Sequence, residues 1–367
     1  MSNLIYYTPG VFNTLSHKRD VRIFLGLFNI FATTVSFIDR TGVIQVPVKT
    51  ETLEEHLLPV NSNFNLSFNE CAVKTAERIY SKHKQFGVPI KLHWSGGIDS
   101  SAALTAFIEL LGMAEAKRCV NIVMSSNGMY ENPYMWKIIR REGFEIINSV
   151  SFEDTYSDDY IAVNGEGGDQ VHGTDIYKTL IGKYNSRIMS TPWTDSIIIE
   201  YVTERSGLTK AEAKVLSEVI IDQVKKAPID IKTVGDFFWW LNFTCKWTST
   251  FYRLITKSST AVDRKTINNH FFPFYASEEF QLWAMYKREE KHKGDWNSYK
   301  WKAKEYVCGL VGEEYALKHR QGSLTVVMSH VPRNEALDSN FNFINKTDVD
   351  YWYNPNNSFG VVNEKVG

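Results

Sequence analysis

The sequence predicts an α/β protein in which helices flank a parallel β-sheet, with a small N-terminal β layer and a helical C-terminal half. Three observations indicate this fold class. Short apolar runs alternate with segments of helical periodicity between residues 66 and 180. Two of these runs end in glycine-rich polar loops. Beyond residue 180, helical spacing dominates. Strands that alternate with helices form right-handed βαβ units, and ligands bind at the carboxyl ends of their strands.

Composition excludes several functional classes. The chain has 367 residues, 43% of them hydrophobic and 23% charged, and its net charge is −1. This balance creates no field that would attract nucleic acid or an anionic membrane. The apolar run from Ile23 to Phe37 is interrupted by polar residues and is too short to span a bilayer. No signal-peptide pattern is present, and four widely spaced cysteines indicate free thiols in a reducing compartment. We therefore expect a cytoplasmic protein.

Four segments are predicted. They are a small β-rich segment at residues 1–65, an α/β core at 66–180, a helical half at 181–320 and a C-terminal extension at 321–367. In the first segment, strands are predicted at Leu4 to Tyr7, Val21 to Phe28 and Thr34 to Ile38, followed by a hairpin turn at Thr41-Gly42 and a strand at Val43 to Val48. In the extension, Leu324 to Met328 is predicted to form a strand.

The α/β core begins with a helix. Ser67 and Glu70 form a capping-box pattern, apolar residues follow at helical spacing, and Gly87 is expected to end the helix. The next apolar run ends at Trp94 and predicts a strand. Further strands are predicted at Val120 to Ser125, Glu145 to Val150 and Tyr160 to Val163, and further helices at Ala102 to Leu111 and Tyr134 to Arg141.

The loop after Trp94 has the composition of a phosphate-binding site. Gly96 and Gly97 lack Cβ atoms, so the backbone can bend sharply and approach a ligand closely. The N–H groups and the dipole of the following helix face the same point. Asp99 would repel a phosphate unless a metal ion lies between them, so the loop predicts a phosphate bound together with a hard cation such as magnesium. Hydroxyl donors are predicted from Ser95, Ser100 and Ser101.

A second glycine-rich segment follows the strand at Tyr160 to Val163. It runs from Asn164 to Gly173 and carries two acids, Glu166 and Asp169, between its glycines. Because glycine presents no side chain, both acids can approach a ligand closely. Asp169 lies 70 residues after Asp99 in the chain (169 − 99), so only the fold can bring the two acids together.

These two segments resemble the signatures of one family. Residues 95–100, Ser-Gly-Gly-Ile-Asp-Ser, resemble the SGGxDS loop of the ATP pyrophosphatases, and they are followed by no Walker-type Gly-Lys-Ser/Thr. Residues 164–173 are similar to the SGEGxDE segment of asparagine synthetase and its relatives, β-lactam synthetase and the lasso-peptide cyclases. The resemblance covers residues 66–305. It implies an adenine nucleotide alpha hydrolase-like fold in which ATP is split between its α and β phosphates.

The resemblance also implies roles for individual residues. Asp99 and Asp169 would hold magnesium on the β and γ phosphates, and Glu166 would lie beside an acyl-adenylate as a base for the attacking amine. Lys300, with Lys302 as the second choice, would lie over the α phosphate and offset charge as pyrophosphate leaves. The residues expected to contact ATP are Ser95, Gly96, Gly97, Ile98, Asp99, Ser100, Ser101, Ser125 and Gly165.

The chain departs from the family pattern at several positions. Asn164 replaces a serine, Gln170 replaces the second acid and Thr174 replaces the last glycine. The stretch from Phe271 to Tyr275 resembles the family's PFLD-containing segment but lacks its aspartate. The uncharged Gln170 means that the ion pairing around this segment must differ from that of the family.

The helical half contains one further capping box, at Thr209 and Glu212. It also contains a stripe of aromatic residues at helical spacing. We predict that most of these rings are core, and the alternative is that a few of them line an acceptor pocket. The stripe consists of Phe237, Phe238, Trp239, Trp240, Phe243, Trp247, Phe251 and Tyr252.

On this basis we expect an AMP-forming carbon–nitrogen ligase that uses ATP and Mg²⁺ to adenylate a carboxylate and transfers it to ammonia or an amine. Ser2 follows the initiator methionine where glutamine-dependent synthetases carry a catalytic cysteine, so no glutaminase activity is expected. The nitrogen would come from free ammonia, a separate ammonia-supplying partner or an amine substrate. Neither a membrane nor nucleic acid is expected as a partner. The alternatives are a nucleobase- or tRNA-modifying ATP pyrophosphatase and a nucleotide-binding protein without catalysis.

Overall fold

The computed structural model describes residues 5–31, 36–61, 63–148, 157–254, 264–314, 343–344, 349–356 and 359. The strand predicted at Leu324 to Met328 lies outside these residues. Within the described ranges, no helix is both long and apolar enough to cross a membrane.

The sheet at the centre of the fold is parallel, as predicted, and it has five strands. The strands in chain order are β1 (Tyr6–Tyr7), β2 (Ile90–His93), β3 (Val120–Met124), β4 (Ile146–Asn148), β5 (Ile161–Asn164), β6 (Phe271–Pro273) and β7 (Phe343–Ile344). The order across the central sheet is β4-β3-β2-β5-β6, and β1 pairs separately with β7. Because β6 comes from residues 271–273, the predicted segments 66–180 and 181–320 share one sheet.

The strand order creates a switch point between β2 and β5. From β2 the chain adds β3 and β4 on one side, whereas β5 and β6 lie on the other side. Loops at the carboxyl ends of such a central pair diverge, and the crevice between them is where doubly wound sheets bind ligands. Each of these two ends leads into one of the glycine-rich segments.

Helices cover the sheet and build most of the remaining chain. In chain order they are α1 (Arg19–Phe31), α2 (Phe68–Phe86), α3 (Ile98–Cys119), α4 (Ser126–Glu131), α5 (Pro133–Glu142), α6 (Gly168–His172), α7 (Ile176–Tyr184), α8 (Asp195–Arg205), α9 (Lys210–Lys225), α10 (Val234–Cys245), α11 (Trp247–Tyr252), α12 (Arg264–His270), α13 (Glu278–Tyr286), α14 (Trp301–Val311) and α15 (Val349–Trp352). Both predicted capping boxes are confirmed, at the starts of α2 and α9.

The N-terminal segment differs from the prediction. The stretch Val21 to Phe28 was expected to be a strand but lies within α1, where residues three and four apart share one buried face against the core. A turn forms at Thr41-Gly42, but residues 37–38 and 43–48 are not paired as a hairpin. Instead the Asp39 carboxylate accepts hydrogen bonds from the N–H groups of Thr41 and Ile44, at 2.9 and 2.6 Å. These two N–H groups therefore need no partner on a neighbouring strand.

The aromatic stripe is mainly core, as predicted. Phe237, Phe238, Trp240 and Phe243 have no exposed surface, and Trp239 is 2% exposed. Their rings pack on one another with centroid separations between 5.3 and 6.1 Å. All four cysteines are thiols outside any disulfide; three are buried and Cys308 is partly exposed.

The two loops at the switch point are in direct contact through Gly165. A Cβ atom at this position would lie 2.8 Å from Ser100 N and 3.0 Å from Asp99 Cβ. A side chain cannot come so close to a backbone atom, so the loops can meet only if residue 165 is glycine.

Gly165→Ala should therefore destabilise the fold by about 1–3 kcal/mol, because the added methyl group forces the loops apart. The matched control is Gly182→Ala in α7, where a Cβ atom would meet nothing within 4 Å. This control should gain about 0.5–1 kcal/mol, since alanine is the better helix former. Urea denaturation measures both values, and equal stabilities for the two variants would contradict the packing at Gly165.

Candidate active site

The first glycine loop is fixed by its neighbours at the end of β3. Trp94 donates its backbone N–H to Val123 O at 2.8 Å. Gly96 has a φ of +82°, and a Cβ atom there would lie 2.5 Å from Gly128 O. Glycine alone fits both this conformation and this space. The turn from Ser125 to Gly128 therefore borders the loop. Ser125 directly follows β3, so it lies at the carboxyl end of this strand.

The helix α3 begins directly after this loop, with Gly97 as its N-cap residue. The first N–H groups of a helix have no intrahelical partner, and the helix dipole adds positive potential there. The Ile98 side chain is 7% exposed and packs in the core, so its predicted contact with ATP can involve only its backbone. The side chain of Asp99, in the same turn, is 22% exposed.

The three serines divide between the loop and the interior. Ser95 Oγ lies 3.2 Å from Ser100 Oγ, at the base of the loop. Ser101 is fully buried, and its Oγ accepts the Trp94 indole N–H and the Asn132 amide N–H, each at 3.1 Å. This result corrects the expectation that all three hydroxyls face a ligand, because helical periodicity turns residue 101 toward the core. Ser101 instead ties the loop to the start of α5.

The second glycine segment folds over the first. Asn164 Oδ1 accepts the Glu166 N–H at 3.0 Å, and this Asx turn bends the chain at the end of β5. Gly167 has a φ of +86°. A Cβ atom at Gly168 would lie 2.4 Å from Asp99 Cγ. The backbone at the start of α6 therefore packs directly on the Asp99 carboxyl group.

Asp99 and Asp169 meet at a single ammonium group. Lys300 Nζ lies 2.5 Å from Asp99 Oδ2 and 2.7 Å from Asp169 Oδ1. Tyr299 also donates its hydroxyl to Asp169 Oδ1, at 3.0 Å. The fold thus brings together the two acids that the sequence analysis paired and the lysine that it ranked first. A positive charge from the protein lies between the acids.

Lys300 adopts an unusual backbone conformation. Its φ of +59° and ψ of +30° are in the left-handed region, which disfavours a residue with a side chain by roughly 1–2 kcal/mol. Its side chain is 8% exposed. A strained backbone conformation persists where surrounding contacts stabilise it, and strained residues cluster at functional sites. The second candidate, Lys302, lies in the first turn of α14 and pairs with Glu305 at 2.9 Å.

The charges at this site stabilise one another. Partial burial opposes ionisation of Asp169, but Lys300 and the Tyr299 hydroxyl outweigh it and hold the pKa of Asp169 well below its usual range. Burial likewise disfavours a charged Lys300, but Asp169 and Asp99 outweigh it and raise the pKa of Lys300 above its usual value. Both groups are therefore charged across the neutral pH range.

Glu166 has its own basic partner, Arg253. Arg253 Nη2 donates to both carboxylate oxygens of Glu166, at 2.7 and 2.6 Å. The side chains are 16% exposed for Glu166 and 38% exposed for Arg253. Burial opposes the charge on Arg253, but Glu166 outweighs it and raises the pKa of Arg253. The sequence analysis missed Arg253 because the two residues are 87 positions apart and Arg253 belongs to neither motif.

Other residues of the second segment are structural. His172 is fully buried among the rings of Phe68, Tyr275 and Trp283, with centroid distances of 5.2–5.8 Å. Burial holds the pKa of His172 well below its usual value, so the ring is neutral. Gln170 is 5% exposed, and its carbonyl accepts an indole N–H from α10.

The donors at this site fit magnesium and a polyphosphate. Magnesium prefers oxygen ligands and is bound in nucleotide sites by one or two carboxylates together with phosphates. Asp99 and Asp169 supply two carboxylates at one point, beside the N-terminus of α3. No cluster of three or more potential metal-ligating histidine, cysteine or acidic side chains occurs in the part of the chain that the structure describes.

Comparison with models of known protein families, with curated proteins and with solved structures found no match. The fold and the site define a class, an α/β protein with a five-stranded parallel sheet and two glycine-rich loops at its switch point.

Replacement of Lys300 by methionine should destabilise the protein, because Asp99 and Asp169 would lose the ammonium group that lies between them. We expect a loss of roughly 2 kcal/mol at pH 7, less than for a fully buried ion pair, since the Asp169 side chain is 49% exposed. Lys302→Met is the matched control and should change stability by under about 1 kcal/mol.

The effect of Lys300→Met should depend on pH. A carboxyl group with a depressed pKa contributes stability above its unfolded pKa, and this stability is lost as the pH falls through the folded value. The wild type should therefore weaken between about pH 4 and pH 2, whereas protonation relieves repulsion in the variant. Urea denaturation across this range should show the difference shrinking, and a constant difference would exclude the proposed charge balance.

A second pair of variants isolates the backbone strain at Lys300. Lys300→Gly should be about 1 kcal/mol more stable than Lys300→Ala, because both lose the ammonium and only glycine tolerates the left-handed conformation. The same pair at Lys302, inside α14, should show the opposite order. Thermal denaturation compares the four proteins, and the same order at both positions would argue against strain at Lys300.

Proposed function

We propose that this protein is an ATP-dependent ligase that adenylates a carboxylate and transfers the acyl group to an amine or ammonia. The observation that supports this most strongly is the meeting of Asp99, Asp169 and Lys300 beside the N-terminus of α3. This arrangement offers two carboxylates for a hard cation, and a helix N-terminus with a lysine for phosphate oxygens. Cleavage of ATP next to the α phosphate needs both, since pyrophosphate leaves with a high negative charge.

In this proposal the phosphates are bound mainly by backbone. Gly96 and Gly97 leave the loop without side chains, so its N–H groups and those of the first turn of α3 can reach phosphate oxygens. Asp99 and Asp169 would hold magnesium, which neutralises phosphate charge and orients the phosphate chain. Lys300 would then exchange its carboxylate partners for phosphate oxygens and stabilise the charge that develops on them.

Glu166 and Arg253 would serve the amide-forming step. A guanidinium can only donate hydrogen bonds, so Arg253 leaves the carboxylate of Glu166 as an acceptor. Glu166 would accept the proton that the amine loses when it attacks the acyl-adenylate.

A nucleotide-binding protein without catalysis is the second candidate. The observation that favours it is the position of Lys300 Nζ between the two acids. An ammonium in that position already neutralises part of their charge, so a nucleotide could bind without a divalent cation. The uncharged Gln170, in place of an acid, is consistent with a weaker requirement for metal.

Exchange of labelled pyrophosphate into ATP tests the ligase directly. The protein, ATP and magnesium are incubated with pools of carboxylates and no amine, so that only adenylation is measured. Asp99→Asn should reduce exchange by about 10²-fold or more, because it removes a charge from the cation site while preserving side-chain shape. Asp230→Asn, at a surface residue that is 73% exposed, is the matched control and should keep full exchange.

The outcomes separate the candidates. AMP release that requires both a carboxylate and an amine would support the ligase. ATP binding without turnover across broad pools would support the second candidate, and AMP release with RNA or a nucleoside would support nucleobase modification. Full exchange by Asp99→Asn, in a protein whose circular dichroism is unchanged, would remove Asp99 from the mechanism.

A further inference from the structure

Two neighbouring side chains converge on one oxygen atom of Asp169. The Tyr299 hydroxyl donates to Asp169 Oδ1 at 3.0 Å, and Lys300 Nζ lies 2.7 Å from the same atom. In regular strands and helices, consecutive side chains point in different directions. Lys300 follows neither pattern, because its left-handed φ of +59° lies directly before α14. This conformation permits a phenol and an ammonium from adjacent residues to reach the same carboxylate.

The phenol ring of Tyr299 is held by groups outside the two acids. Trp296 stacks on it with a centroid distance of 5.1 Å and an interplanar angle of 13°. Tyr177 contacts it edge-on, at 5.8 Å and 81°. Gly173, the last residue of the second glycine-rich segment, approaches the same ring so closely that a Cβ atom there would lie 2.6 Å from Tyr299 Cε2. The position of the hydroxyl is therefore fixed independently of Asp99 and Asp169.

Lys300 reaches the same carboxylate with a different kind of side chain. Its Nζ ends a flexible four-carbon stem and is shared between Asp169 and Asp99. In the proposed reaction this ammonium moves to phosphate oxygens, which removes the ion pair from Asp169. The Asp169 side chain is 49% exposed, so it then needs a second partner to keep its orientation.

The Tyr299 hydroxyl is suited to be that partner because it keeps its proton. Partial burial, together with the charge of Asp169, raises the pKa of Tyr299 well above its usual value. A neutral phenol donates one hydrogen bond, and the fixed ring directs this bond to Asp169 Oδ1. The second carboxylate oxygen of Asp169 then serves as the ligand.

We propose that Tyr299 is a positioning residue that orients Asp169 for a divalent cation bound together with a nucleotide. This inference rests on the proposed function, because it takes Asp99 and Asp169 as the cation site. Residues that hydrogen-bond to metal ligands fix the orientation of those ligands, and their loss weakens metal binding about 10- to 100-fold. The two neighbouring residues thus have different roles: Tyr299 stays on Asp169, and Lys300 transfers to the phosphates.

Calorimetric titration with α,β-methylene-ATP measures this role without catalysis. A methylene group replaces the oxygen between the α and β phosphates of this analogue, so it cannot be cleaved there. The affinity of the full chain is measured with EDTA and with saturating magnesium, and the ratio of the two affinities isolates the contribution of the cation. Tyr299→Phe should lower this magnesium ratio by about tenfold, because Asp169 loses its fixed orientation, and should leave the affinity in EDTA unchanged.

Tyr177→Phe is the matched control. Tyr177 contacts the Tyr299 ring, but its own hydroxyl donates to Gly235 O at 3.2 Å rather than to an acid. The control should therefore keep the wild-type magnesium ratio. An unchanged ratio in Tyr299→Phe would overturn the proposal. A loss of affinity that is equal with EDTA and with magnesium would also overturn it, since a merely structural tyrosine would produce that result.

Trp296 provides a second test, at a distance from the hydrogen bond. This residue is 41% exposed, so its replacement should leave the fold intact. Trp296→Leu removes the ring that stacks on Tyr299 and should lower the magnesium ratio, whereas Trp296→Phe retains an aromatic ring and should restore most of it. Tyr351→Leu, at a residue that is 44% exposed, is the control and should keep the wild-type ratio. Equal ratios for Trp296→Leu and Tyr351→Leu would overturn the proposed fixing of the ring.

These results are separable from the proposed function. Pyrophosphate exchange measures adenylation, whereas the analogue measures binding alone. A protein in which Tyr299→Phe lowers the magnesium ratio, but in which no carboxylate supports exchange, would keep the positioning role and lose the ligase function. A protein that exchanges pyrophosphate, with the same ratio in Tyr299→Phe and in the wild type, would keep the ligase function and lose the role of Tyr299.

Discussion

The close packing of a glycine backbone on one carboxyl group determines the rest of the site. Gly165 and Gly168 leave no room for a side chain where they approach Ser100 N and the Asp99 carboxyl group. This contact joins the ends of β2 and β5 at the switch point of the sheet. It also places Asp169, in the first turn of α6, within reach of the same lysine as Asp99. A larger residue at either glycine would separate the acids even if every strand and helix formed.

Charge balance then accounts for the strained conformation of Lys300. Two carboxylates within reach of one atom repel each other, and Coulomb energies away from bulk water are several-fold larger than in it. An ammonium between them replaces this repulsion with two ion pairs. The left-handed backbone costs roughly 1–2 kcal/mol, and the roughly 2 kcal/mol that removal of the Lys300 ammonium should cost is at least as large. The free-energy cost of the strained backbone at Lys300 is therefore offset by the ion pairs that the same residue makes.

Local signals in the sequence predicted local structure well and distant contacts poorly. The capping boxes at Ser67 and Thr209 lie within four residues, so their side-chain and backbone partners are visible in the sequence. The stretch Val21 to Phe28 was assigned wrongly because a short apolar run fits either a strand or one face of a helix, and packing decides between them. Asp99, Asp169 and Lys300 were selected through their resemblance to a family. Arg253 had no such signal, because its partner is set by the fold alone.

The two acids of the second segment pair with basic residues at the ends of different helices. Two separate ion pairs therefore lie within one short loop. Glu166 and Asp169 are three positions apart, yet the first pairs with Arg253 at the end of α11 and the second with Lys300 at the start of α14. Both basic partners come from beyond residue 250, so the helical half completes a site whose motifs end at residue 173. Because each acid has its own partner, a ligand that displaces one basic group leaves the other ion pair intact. A polyphosphate and an amine could therefore be bound by distinct charges on adjacent turns of the same backbone, which is the spatial arrangement that an acyl transfer between them requires.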